Sequence, residues 1–221
     1  MMVQMVDPKP RERIGDLAGG TGGFLVNAHQ HILEKHTSAG ILDWTHASDT
    51  DGAPRNLIGD QLSAAERTFM SSKKYLRGFD PTRGRCNDSG MTILRIGSMN
   101  LMLHGIESPQ FYYMDSLSKS FDDEREYDVI LMNPPFKGAV DKGGVHPTLP
   151  ADTTKSELLF LHLILRALDM GGRAAVIVPD GVLPKGGRAA RMWRCVAGSS
   201  RRIGWTGWCR CLRVCSSRTR G

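Results

Sequence analysis

Cysteine is nearly absent from the first 180 residues. Cys86 stands alone there, and the other four, Cys195, Cys209, Cys211 and Cys215, crowd into the tail. A chain so arranged has no disulfide framework. The C-x13-C-x-C-x3-C spacing lacks the paired C-x2-C steps that hold zinc, so no metal site is expected. Acidic residues are missing from 181–221, where ten Lys and Arg stand unopposed. Residues 1–180 carry nineteen basic against twenty-three acidic groups, a net −4, so the overall charge of +6 belongs to the tail. A basic tail can meet phosphates, but it says nothing about the body. No apolar run approaches the ~20 residues that span a bilayer. Charges and prolines interrupt Met1–Arg13 too early for a signal peptide. A cytoplasmic protein without a membrane partner is expected.

What is present suffices for one α/β domain: 221 residues, 40% hydrophobic and 24% charged. Arg13–Asp16 reads as a short strand ending in the turn Gly19-Gly20-Thr21-Gly22-Gly23, and Phe24–Lys35 has helical spacing. Ser38–Asp60 is polar and turn-rich. Ser63 and Glu66 form a capping box opening a helix to Lys74. Tyr75–Asp80 is a second strand, Pro81–Gly90 is irregular, and Met91–His104 is a helix that Gly105 could cap. Phe111–Met114 is a third strand, followed by Asp115. Tyr127–Met132 is the best strand and runs into Asn133-Pro134-Pro135-Phe136. After a polar loop over Lys137–Thr154, Ser156–Met170 reads as a helix stopped by Gly171-Gly172, and Ala174–Val178 as a buried strand.

Strands alternating with helices predict a parallel sheet with right-handed crossovers, whose ligands bind beyond the carboxyl ends of the strands. Each polar signature falls at such an end: Asp16 with its glycines, Asp80, Asp115, and Asn133–Phe136. A glycine turn lets backbone approach a ligand and aims helix-start amides at it, yet such turns serve many nucleotides and also plain tight turns. Asp80 could accept hydrogen bonds from ribose hydroxyls and Asp115 from an adenine amino group, although either could be a solvated turn residue.

Asn133-Pro134-Pro135-Phe136 is the specific signal. Two prolines fix the backbone and remove two N–H donors. The Asn133 side-chain oxygen and the Pro134 carbonyl can then both accept from one NH2 group. That pulls its nitrogen toward sp3 geometry and localises the lone pair for in-line attack on a sulfonium methyl. Phe136 offers a flat face to a base, which must leave the duplex to be reached.

These segments resemble the modification (M) subunit of type I restriction-modification systems, within the N6-adenine DNA methylases. Asp16-Leu17-Ala18-Gly19-Gly20-Thr21-Gly22-Gly23-Phe24 is similar to the family's methyl-donor motif, and Asn133–Phe136 matches its catalytic motif. Arg95–Leu101 and Glu157–Leu161 also look like the family. The resemblance implies a class I S-adenosylmethionine-dependent methyltransferase (Rossmann-like) fold over residues 1–183, incomplete at both ends. It implies S-adenosyl-L-methionine as cofactor, held by Asp16, Gly20, Thr21, Gly22, Gly23, Phe24, Asp80 and Asp115. Asn133, Pro134, Pro135 and Phe136 would be catalytic. DNA, a DNA-specificity (S) subunit and a restriction (R) subunit are the implied partners. A glutamine-directed methyltransferase usually carries Tyr where Phe136 stands, and a dehydrogenase has no use for Asn-Pro-Pro-Phe. A truncated remnant without activity is the alternative within the family.

The sequence departs from the family at Leu17, which replaces a Pro, at Gly15, which replaces a larger residue, and in the long Pro81–Gly90 connection. Residues 184–221 depart entirely. Codons for Trp205–Arg220 exist that, read one base earlier, spell Leu-Asp-Gly-Val-Val-Ser-Leu-Pro-Thr-Gly-Met-Phe-Lys-Pro-Tyr-Ala, close to the family's own continuation. The tail therefore reads as out-of-frame translation. Without periodic apolar patterning it is expected to be disordered.

Overall fold

The computed structural model describes residues 1–42, 57–80, 89–135, 142–150, 156–178, 201–205 and 211–216. In chain order the elements are α1 (Met2–Val6), β1 (Ile14–Asp16), α2 (Gly23–Lys35), α3 (Ala64–Met70), β2 (Leu76–Asp80), α4 (Ser89–Leu103), β3 (Gln110–Tyr113), β4 (Tyr127–Met132), α5 (Ser156–Ala167), β5 (Leu168–Ile177), β6 (Arg201–Trp205) and β7 (Cys211–Ser216). A 3-10 turn occupies Lys142–Gly144 inside the stretch read as loop. Trp44 and Cys86 lie outside the described residues, as does most of the segment read as irregular over Pro81–Gly90.

The seven strands lie in the order β3-β2-β1-β4-β5-β7-β6. The first five run parallel, with Asp16 beside Gly78, Gly15 beside Ile130 and Asp80 beside Tyr113. β7 enters antiparallel to both β5 and β6. Layers on both faces explain why β4 reads as an apolar run and not as an alternation. Val129 and Leu131 point into a core with α1, α2 and Leu101 of α4, while Ile130 and Met132 point into another with α5. Arg173 fastens α1 by donating to the Val6 and Asp7 carbonyls and pairing with Glu12 at 2.8 Å.

The structure departs from the expected elements in three places. The helix read as Ser156–Met170 ends at Ala167, and Leu168–Met170 already belong to β5. Leu168 pairs with Tyr127 and Arg173 with Val129, so the extra residues make a bulge in which Gly171 takes φ +82°. The glycine pair serves that bulge and does not stop a helix. The tail, expected to be disordered, contributes β6 and β7, and the rest of 184–221 lies outside the described residues. In Cys211–Ser216, Leu212 and Val214 alternate with Cys211, Arg213 and Cys215, a strand-like period of two over a stretch rich in β-formers. The parallel edge of β5 supplies backbone partners that are indifferent to side chains. The capping box at Ser63 and Glu66 is present, though its helix ends at Met70.

Gly15 has its reason in the core. A Cβ there would stand 2.6 Å from the Tyr127 ring, so the ring occupies the space a larger residue would fill. Gly15→Val should cost about 1–3 kcal/mol by overpacking. Adding Tyr127→Leu should return part of that loss, making the double variant more stable than the sum of the single effects predicts. Strictly additive losses in thermal melts would show that the ring is not what fills the space.

Candidate active site at the carboxyl edge of the sheet

Four adjacent strands deliver one polar residue each to the same edge. In spatial order they are Asp115 after β3, Asp80 ending β2, Asp16 ending β1 and Asn133 after β4. Three interstrand spacings separate the outer two strands, about 14 Å.

Asp16 is fully buried. Its Oδ1 accepts from the Ala18 amide at 3.2 Å, and its Oδ2 meets no hydrogen-bond partner among the described residues. Burial pushes the carboxyl up to about 7, against the smaller lowering by the Ala18 amide. A buried carboxyl with an orphaned oxygen fits a cationic ligand group, which would both satisfy the oxygen and favour the charged form. Asp80 is also buried. Asp115 is half-buried, and its Oδ1 accepts from the Leu117 amide at 3.0 Å.

The glycines of the turn do different jobs. Gly20 (φ +51°) and Gly22 (φ +75°) hold left-handed backbone, which lets the chain double back into α2. A Cβ on Gly19 would meet the Phe111 ring at 2.7 Å, so that glycine makes room for a ring from β3. Gly23 opens α2 with free space beside it, where the first amides of the helix have no intrahelical acceptor. Thr21 is exposed, and Phe24 packs partly buried against the α2 side of the core. Leu17 is buried in the α5-side core, which accommodates it where a Pro is usual.

Asn133 is exposed, Pro134 buried and Pro135 exposed. The Pro135 carbonyl accepts from Ser156 Oγ at 3.3 Å, tying the motif to the start of α5. Phe136 lies outside the described residues.

The profile of the N-6 DNA methylase family matches residues 73–197, more than half of the chain. The chain belongs to that family. It is 31% identical over 186 residues to the methylase subunit of the Escherichia coli type I restriction enzyme EcoEI, an alignment covering 82% of this chain and 31% of that protein. The chain thus spans about a third of the length of the curated relatives it matches. Its structure resembles the M protein of the type I restriction enzyme EcoKI, with TM-score 0.69 and 22% identity, over 97% of this chain and 42% of that one. It also resembles a Listeria monocytogenes protein described as a class I S-adenosylmethionine-dependent methyltransferase, with TM-score 0.53 and 14% identity, over 93% of this chain and 53% of that one. These likenesses establish the class I methyltransferase fold.

In this member of the N-6 DNA methylase family, the residues that brace the edge were not legible in the sequence. Ser116 is fully buried and donates through Oγ to the Leu17 carbonyl at 2.7 Å. Asn100 of α4 donates through Nδ2 to the Thr21 carbonyl at 2.9 Å, and Gly97 brings the same helix against the Gly20 carbonyl. Both α4 residues lie in the segment that resembled the family, but nothing local announces their partners. No locally readable signal marks Ser116.

A cavity of about 550 Å3 opens at the opposite edge of the sheet, lined by His29, Leu33, Arg67, Tyr75, Leu103 and Ile106 among others. Burial, with help from nearby His104, pushes the His29 imidazole down to about 4. Asp16, Asp80, Asp115 and Asn133 are not among its lining residues, so volume alone points away from the chemistry. His146 hydrogen-bonds Thr148 through its ring, and its amide donates to the Leu117 carbonyl at 2.9 Å. Among the described residues no cluster of His, Cys, Asp or Glu could hold a metal ion, and no helix is long and apolar enough to cross a membrane.

Proposed function

We propose that this chain is the catalytic core of an adenine-N6 DNA methyltransferase subunit of the type I restriction-modification kind. S-adenosyl-L-methionine would lie along the carboxyl edge. When bound, it supplies an electrophilic methyl on a sulfonium. The observation that carries the reading is the order of the four strand ends: Asn133 stands next to Asp16, and the two remaining carboxylates follow on the far side.

That order favours one orientation. The transferable methyl would face Asn133 at β4, which would put the amino-acid part at Asp16 and the glycine turn. The ammonium would meet the orphaned oxygen of Asp16. The carboxylate would meet the first amides of α2, a favourable place for an anion. The nucleoside would extend over Asp80, accepting from ribose hydroxyls, towards Asp115 near the donor adenine. Asn133 Oδ1 and the Pro134 carbonyl would accept from the two hydrogens of a flipped adenine N6. Held there, N6 would offer its lone pair to the methyl that the bound sulfonium supplies; the sulfur would keep the electron pair of the broken bond and N6 would lose one proton. Phe136 would stack on the base. DNA and the specificity and restriction subunits are the partners this reading assigns.

Calorimetric titration with S-adenosylmethionine tests it. Saturable one-to-one binding is expected, with Asp80→Ala weakening it by about 30-fold through loss of hydrogen bonds to a buried carboxylate, ~2 kcal/mol. A folded chain that binds no methyl donor would instead fit the remnant reading. The family match runs to residue 197, fourteen residues past the boundary expected after 183, and for the tail beyond that match we propose out-of-frame translation. Coding DNA that fails to restore the family sequence on a one-base shift would refute that.

A further inference from the structure

We propose that Ser116, assisted by Asn100, is a positioning residue that sets the distance between the two ends of the methyl-donor site. The inference rests on the proposed placement of S-adenosylmethionine and deepens it.

Leu17 follows Asp16, and Ser116 follows Asp115. The bond from Ser116 Oγ to the Leu17 carbonyl, 2.7 Å long across 99 residues of sequence, therefore joins the two outermost carboxylates on the near side of Asn133. No ladder does this, because β2 lies between β1 and β3. Beyond Asp16 and Tyr113 both segments have left the sheet. The glycine turn is held at two other points, by its Gly19 amide donating to the Phe79 carbonyl at 2.6 Å and by Asn100 Nδ2 on the Thr21 carbonyl at 2.9 Å. Pinned carbonyls constrain the peptide planes and hence the direction of the neighbouring amides. Ser116 works in a fully buried place, where a carbonyl that loses its hydrogen-bond donor carries the whole desolvation cost and moves to relieve it. Asn100 works at a partly exposed place and contributes less.

A ligand touching both ends must feel that distance, and a ligand touching one end need not. The test uses two probes: S-adenosylmethionine and 5′-methylthioadenosine, which keeps the nucleoside and lacks the amino-acid part. In calorimetric titrations, Ser116→Ala should weaken S-adenosylmethionine by about tenfold, equal to ~1.4 kcal/mol. It should change 5′-methylthioadenosine by no more than about twofold. Asn100→Asp, which replaces the donating amide by an acceptor of the same shape, should show the same selectivity at about threefold, and decides the matter if Ser116→Ala does not fold. Parallel loss of both ligands, or no loss of either, in a folded variant overturns the proposal. A wild-type chain that binds 5′-methylthioadenosine as tightly as S-adenosylmethionine also overturns it, because the amino-acid end is then not engaged. If the wild-type chain binds neither, the methyl-donor reading itself falls and this inference with it.

Discussion

Asn133→Ala should reduce methyl transfer to adenine by a factor on the order of 10^2–10^3 while leaving S-adenosylmethionine affinity within about twofold. The substitution removes one of the two proposed acceptors for the N6 hydrogens and touches nothing in the proposed methyl-donor site. Asn133 is exposed at the end of a strand whose other residues are almost all buried, and Pro134 and Pro135 prevent the chain from swinging to present another group. Asn133→Asp keeps an acceptor in the same place and should retain a measurable fraction of the rate. Labelled-methyl transfer to duplex DNA, with the wild-type chain as reference in the same assembly, separates the cases. Transfer by Asn133→Ala at the wild-type rate would move the chemistry away from β4.

Asp16→Asn should move stability and methyl-donor binding in opposite directions. Burial holds the Asp16 carboxyl at about 7 in the folded chain, against ~3.9 for an unperturbed Asp. The folded state therefore binds the proton more tightly than the unfolded state between those values. The stability it contributes is complete below pH ~4 and is lost as pH rises to about 7. At pH 8 the folded wild type carries a buried charge that Asn lacks, so the variant should melt about 5 °C higher. At pH 4 the difference should vanish. Wild-type affinity for the methyl donor should rise as pH passes through about 7, because only the carboxylate attracts the ammonium. The variant should bind about 30-fold more weakly at pH 8, equal to ~2 kcal/mol, and show no such rise. Equal melting temperatures at pH 8, together with equal affinities, would mean that Asp16 is neither strained nor used.

The parallel half of the sheet was legible because its strands are short, apolar and closed by polar residues: Tyr127–Met132 occupies its expected range, and Asp16, Asp80, Asp115 and Asn133 stand at strand ends as read. The passage from α5 to β5 was not legible. Leu168–Met170 continues an apolar run whose period fits either element, and what decides it is the pairing of Leu168 with Tyr127, far upstream in the chain. β6 and β7 were missed for a related reason, since the weak alternation around Leu212 and Val214 means little until β5 offers an edge. At the site, residue types announced the groups that would face a ligand. They did not announce Ser116, Asn100 or Phe111, whose partners lie far along the chain and act on backbone or on the space beside a glycine.

The Phe111 ring lies where side chains on Gly19, Gly78 and Gly97 would otherwise stand, with Gly22 close by. Those glycines belong to the turn after β1, to β2 and to α4, and the ring itself to β3. None of these approaches can form until three strands and a helix, scattered over nearly a hundred residues, have come into register. Gly20 and Gly22 permit the turn, but its final shape waits on those distant approaches. On these contacts the turn and the β1–β3 half of the sheet should open and close as one cooperative unit, and a chain that had folded only its β4–α5–β5 half would have no cradle to offer.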